Sequence, residues 1–178
     1  MAKFKSILTK ISKEDKRFRA GTYARYKDGY IVIGSARLYF TTHHEDVKDL
    51  IYEPARDLEA ARLYERLYES VRNYDMMYMS GIKEDLEALT APDLKAMGRI
   101  KIRGAFFAPS LLKECFTLVE TSTAYMESDP LKRRKSIILI GDMYGTRQCF
   151  LLPVSAHQED YHTVIDYDHE NGGITYAK

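Results

Sequence analysis

The chain has no tryptophan, only two cysteines and five prolines, and a formal net charge of just +1 over 178 residues. Each shortage removes a class of protein. Two cysteines are too few for a disulfide-stapled scaffold, and Cys115 and Cys149 have no CxxC or His-paired spacing. Both lie in apolar segments and read as reduced thiols packed in a core. Near-neutral charge means that any nucleic-acid surface has to come from local segregation of charge. No apolar run approaches the roughly 18 residues of a membrane span, and no signal-peptide pattern opens the chain. A cytoplasmic protein without membrane contact is expected.

Catalytic signatures are missing too. There is no phosphate-cradling glycine loop, no G-x-S-x-G and no H-E-x-x-H. The one dense set of potential metal ligands is His43-His44-Glu45-Asp46. Neighbours on an extended chain point in opposite directions, so four in a row converge poorly on one ion. A strand end followed by an acidic helix start explains the same residues better than a metal-dependent nuclease does. The expectation is no enzymatic activity, no cofactor and no metal.

What is present fits one domain over 1–178 of α+β class. Phe4, Ile7, Leu8 and Ile11 recur at helical spacing, giving a first helix with one apolar face. Its remaining positions and the residues just after it carry Lys3, Lys5, Lys10, Lys13, Lys16, Arg17 and Arg19 against Glu14 and Asp15. From Thr22 to Thr42 the period switches to strands, with a hairpin turn at Asp28-Gly29 and a second turn at Gly34-Ser35. Residues 44–98 read as a helical insertion. Leu63, Leu67, Val71 and Tyr74 form an apolar stripe widened by Tyr64 and Tyr68, Gly81 is the expected stop, and Pro92 suits a later helix start. Tyr64, Tyr68, Tyr74 and Tyr78 cluster there with Met76, Met77 and Met79, a combination suited to core, self-association or partner binding.

Beyond the insertion, R-I-K-I-R-G-A-F-F (99–107) reads as a half-buried strand with a bulge at Gly104, and Pro109-Ser110 opens a helix ending at Val119. Strands follow near 122–128, 136–141 and 147–154, the last two closing a hairpin around Met143-Tyr144-Gly145. The first of these reads as an edge strand. A polar tail over about 157–178 holds a possible strand near 165 and a turn at Asn171-Gly172-Gly173.

The order F-F-A-P-S-L-L-K-E-C-F, D-P-L-K, I-I-L-I and C-F-L-L-P-V resembles the last half-domain of the bacterial replicative sliding clamp, the polymerase III beta subunit. The strong part of the likeness covers about 50 residues and the whole about 100. It implies a clamp-like domain of two strand–helix–three-strand units, with the 44–98 insertion between them and a leading strand of at most Ala2 to Phe4. It also implies a non-enzymatic protein, of a mobile element, that tethers or recruits replication and repair factors on duplex DNA. The alternative is an interaction module that keeps the fold without encircling DNA, a decoy or regulator of clamp partners. A partner-peptide groove would use Phe150, Leu151, Leu152, Pro153 and Val154, with Arg37 and Leu38 opposite. Pro153 argues for an edge strand there, and Ser155-Ala156 depart from the family's ending.

Double-stranded DNA, contacted without sequence preference, would lie against the basic first helix. Lys132, Arg133, Arg134 and Lys135 form a second basic cluster, and the 109–119 helix would also line a ring although it offers only Lys113. Closing a ring from one-domain chains requires a homo-oligomer assembled head-to-tail.

Overall fold

The computed structural model describes residues 2–14, 21–129, 131–154, 164–168 and 173–177, the last two stretches and Arg134 as backbone. The first helix, α1, spans Ala2–Glu14 and buries Ile7, Leu8, Ile11 and Ser12, the face its spacing foretold. A meander follows: β1 Thr22–Tyr26, β2 Gly29–Ile33 and β3 Arg37–Thr41. The β1–β2 turn is centred on Lys27-Asp28, one residue earlier than expected, with Lys27 in the left-handed region at φ 52°. The reason is packing. Gly29 belongs to β2, where a Cβ would fall 2.2 Å from the Phe40 ring, so its missing side chain admits that ring.

A second unit repeats the pattern. Helix α6 spans Pro109–Val119, and β8 Thr123–Met126, β9 Ile138–Gly141 and β10 Arg147–Leu151 follow it. The last strands of the two units pair antiparallel, with Leu38 opposite Phe150 and Tyr39 opposite Cys149. An eight-stranded sheet results, in the order β4 (Ile51–Tyr52), β1, β2, β3, β10, β9, β8 and β5 (Asp75–Tyr78). The α+β class is therefore observed.

Residues 44–98 depart from a purely helical insertion. They contain α2 His44–Val47, β4 Ile51–Tyr52, α3 Asp57–Val71, β5 Asp75–Tyr78, α4 Ser80–Ala88 and α5 Ala91–Ala96. Strand β4 runs parallel to β1, and β5 pairs with β8. The insertion thus supplies both edges of the sheet, and β8 is not an edge. Gly81 lies inside α4 instead of ending the long helix, which stops at Val71. Its stop is followed by alternation: Met77 is buried while Met76 and Tyr78 are exposed, a strand's period of two. At α5, Thr90 and Asp93 form a reciprocal capping box with Pro92 in the first turn.

Two further expectations are corrected. Among the described residues no strand precedes α1, because helix begins at Ala2. Residues 99–107 are not one bulged strand but a hairpin of β6 Arg99–Ile102 and β7 Ala105–Phe107, turned by Arg103 at φ 48° and Gly104 at φ 84°. Two consecutive positive φ values are what a tight hairpin requires. This hairpin joins a second sheet, β12-β11-β6-β7, in which β11 Val164–Asp168 is parallel to β6 and β12 is Gly173–Ala177. Its hydrogen bond to the end of the β10 segment runs from the Val154 N–H to the Phe106 carbonyl, 2.8 Å. The strand ahead of α6 therefore does not ladder with the strands that follow it. The turn expected at 171–173 falls partly outside the described residues.

The sheet has a core on each face. On one side α1 and α6 cover Val32, Tyr39, Ile138, Ile140, Cys149 and Leu151, and α4 and α5 pack beside α6. On the other, α3 covers Ala24, Ile31, Leu38, Leu139 and Phe150. Strand alternation sends Phe150 to one core and Leu151 to the other. No helix of the described residues is long and apolar enough to cross a membrane.

Candidate functional site

Where the β2–β3 turn meets α3, the sheet leaves a cleft of about 480 Å³. Its floor is Leu38 from β3 and Phe150 from β10, cross-strand partners that are both almost wholly buried. Leu63 and Leu67, one turn apart on α3, form a wall. Leu152, just past β10, stands at the rim with 38% of its surface exposed, and its N–H donates to the Ala36 carbonyl at 2.8 Å. Glu14, Gly34, Ser35 and Arg37 close the polar end.

Arg37 organises that end. Its side chain has no solvent exposure, one Nη donates to Glu14 at 2.5 Å and the other to Glu114 of α6. Burial works against the guanidinium charge, but its hydrogen bonds to the Glu114 and Glu14 carboxylates raise its pKa above the ordinary arginine value. The Ser35 hydroxyl lies 3.4 Å from the same Glu14 carboxylate. The charged groups lining the cleft are thus already paired with each other, and the remainder of the wall is mostly apolar. Such a surface can seat an aliphatic or aromatic side chain. Among the described residues no group of three or more His, Cys, Asp or Glu side chains is placed to hold a metal.

Of the groove residues named from the sequence, Arg37, Leu38, Phe150 and Leu152 come together here. Three do not. Leu151 points into the opposite core and is fully buried. Pro153 and Val154 are half-buried, line no part of the cleft, and lie past the end of β10. Pro153 does not mark an edge strand, since β10 sits between β3 and β9 in the centre of the sheet. Leu63 and Leu67 were missed as wall residues. Their i, i+4 spacing identified an apolar stripe, yet the stripe's outer margin, which remains half-buried, is what faces the cleft.

The basic residues divide. On α1, Lys3, Lys10 and Lys13 are exposed on the side away from the core. Lys5 pairs with Asp49, and Lys10 pairs with Glu114 at 2.7 Å. Lys16, Arg17 and Arg19 lie outside the described residues. Helix α6 is a poor ring-lining helix, because Ser110 is its one exposed position and the others are buried or half-buried. Lys113 is spent on α4, where its Nζ donates to the Leu89 carbonyl at 2.7 Å, and burial together with nearby Lys3 lowers its pKa. In the 132–135 cluster, Arg133 donates from Nε to the Glu127 carbonyl at 3.2 Å and from Nη2 to the Ser128 carbonyl at 2.5 Å, and Lys132 pairs with Asp129. These side chains brace their own loop.

His43-His44-Glu45-Asp46 is a strand-to-helix junction, with α2 starting at His44. Asp46 accepts hydrogen bonds from the Tyr39 hydroxyl at 2.9 Å, from the Thr41 hydroxyl at 2.7 Å and from two nitrogens of Arg147. Compared with protein-family models, curated proteins and solved structures, the chain matches none.

Proposed function

We propose that this chain is a non-catalytic interaction module of clamp-like organisation, whose cleft takes an apolar anchor residue of a partner peptide. One observation carries the reading: Leu38, Phe150 and the half-exposed Leu152 converge with Leu63 and Leu67 around an open apolar hollow. Hollows of this kind, with a rim polar group and buried apolar floor, are where peptide anchors dock. The paired helix–three-strand units joined through β3 and β10 support the kinship with sliding clamps. The separate sheet holding β6 and β7, unpaired with the closing strands, counts against the clamp fold itself, so the reading rests on the cleft.

The test is a titration of isotope-labelled protein with short capped peptides bearing one leucine or phenylalanine. Shifts should map to residues 33–38, 63–67 and 150–152 and vanish in Leu152→Glu. Perturbations elsewhere, or none, reject the reading.

A second reading, a tether on duplex DNA, is favoured by one feature, the shared solvent side of Lys3, Lys10 and Lys13. Against it stand the carboxylate partners of Lys5 and Lys10 and the covered α6. Sequence-independent duplex binding that weakens steeply with salt supports it, since phosphate contacts release counterions. Reversing Lys10, Lys13 and Arg17 to glutamate should then abolish retention in a folded protein.

A further inference from the structure

On the far side of α3 lies a larger cleft, about 690 Å³, between the β1–β2 turn, α3 and the β9–β10 turn. We propose that it binds the guanidinium group of an arginine on a partner peptide. Five aromatic rings line it. Tyr64 is the hub, with ring centroids 5.2 Å from Tyr26, 4.8 Å from Phe40 and 5.8 Å from Tyr68. Tyr144, at the β9–β10 turn, is 87% exposed and forms the opposite lip. Aromatic faces attract cations through the ring quadrupole.

Charge selects the ligand's sign. Among the described residues, Asp28, Glu65 and Glu69 line the cleft and are exposed, against the single cation Lys27. Glu65 is oriented by the Tyr26 hydroxyl, which donates to it at 2.7 Å, and Glu69 has a looser contact with Arg72 at 3.4 Å. An anion would meet three carboxylates. A purely apolar anchor would gain nothing from them. A planar guanidinium can stack on a tyrosine face and still reach a carboxylate.

The chain already rehearses the interaction. Lys27 Nζ sits 4.9 Å from the Tyr26 ring centroid at the cleft edge. The frame around it is rigid: the Tyr64 hydroxyl donates to Gln148 Oε1 at 2.8 Å, and Gln148 Nε2 donates to the carbonyls of Asp142 at 3.2 Å and Met143 at 2.5 Å. The β9–β10 turn that carries Tyr144 is thereby tied to α3. The two clefts share no lining residue, so titration shifts can assign binding to one or the other.

The experiment titrates isotope-labelled protein with acetyl-Gly-Arg-Gly-amide and with the same peptide bearing citrulline, the neutral isostere. Arginine should perturb residues 26–29, 64–69 and 142–146, and citrulline should bind about fivefold more weakly or worse. Tyr144→Ala and Glu65→Gln, both at exposed positions, should weaken binding. Lys27→Ala should tighten it by removing the resident competitor. Equal binding of citrulline, weaker binding in Lys27→Ala, perturbation by inorganic phosphate instead, shifts mapping elsewhere or no shifts at all would each overturn the proposal.

Discussion

Asp46 illustrates how much a single carboxylate holds here. It gathers Tyr39, Thr41 and Arg147, and Arg147 also reaches Glu120 and lies over the Phe4 ring at 5.1 Å. Burial disfavours its charge, yet hydrogen bonds from Arg147, Thr41 and Tyr39 outweigh that and hold its pKa below the usual aspartate value. Its stabilising effect is fully present above the unfolded pKa of about 3.9 and is lost as pH falls through the lower folded value. Asp46→Asn should cost about 2 kcal/mol at pH 7 by chemical denaturation, with the gap to wild type narrowing below about pH 4. The two cysteines are equally local in consequence. Their sulfurs are 3.0 Å apart, and burial, with the second thiol beside it, pushes the Cys115 thiol well above its ordinary pKa. Both should resist a maleimide in the native protein and react on unfolding; rapid native labelling would contradict the packing. Apolar flanks made these thiols legible in the sequence. The role of Asp46 was not, because its main partner is remote in the chain and no local pattern encodes that pairing.

At the level of elements, local periodicity carried most of the information. Helices α1 and α6, the two meanders and the β9–β10 hairpin follow from 3.6- and 2-residue patterns bounded by Gly, Pro and Asp. Strand β5 did not, since D-M-M-Y follows a strong helix without an intervening breaker and its alternation covers only four residues. The β6–β7 hairpin was obscured for a related reason, since Arg103 occupies a position where Gly or Asn is the usual signal. In the candidate cleft the strand residues were legible and the α3 wall was not, because apolar spacing does not say which margin of a stripe stays uncovered. Gly141 tests the hairpin directly. It has φ 121°, and a Cβ there would lie 2.7 Å from the Arg147 carbonyl oxygen. Gly141→Ala should therefore lower stability by about 2–3 kcal/mol, measured by denaturant titration. Leu152→Glu, on an exposed rim, should change stability by less than about 1 kcal/mol, which separates loss of peptide binding from loss of fold.

For the whole molecule, the insertion settles how the sheet ends. Its edges, β4 and β5, carry exposed Ile51, Met76 and Tyr78. Open, apolar edges are templates for pairing with another chain. Self-association through them should shift the solution mass with concentration, and Met76→Lys with Tyr78→Lys should return the protein to a monomer. A wild-type mass of one chain at micromolar concentration would remove the self-made ring from consideration and leave the interaction module as the surviving reading.

The ladder between β3 and β10 also dictates when this protein can become itself during synthesis. Strand β3 is finished at Thr41, but β10, one of its two neighbours in the sheet, ends at Leu151. Until that late segment leaves the ribosome, the first meander waits with a bare inner edge. Non-local pairing of this kind makes folding slow and exposes chains to misassembly. The nascent protein should therefore depend on holding factors for most of its translation and acquire protease resistance abruptly, only once residue 151 has emerged.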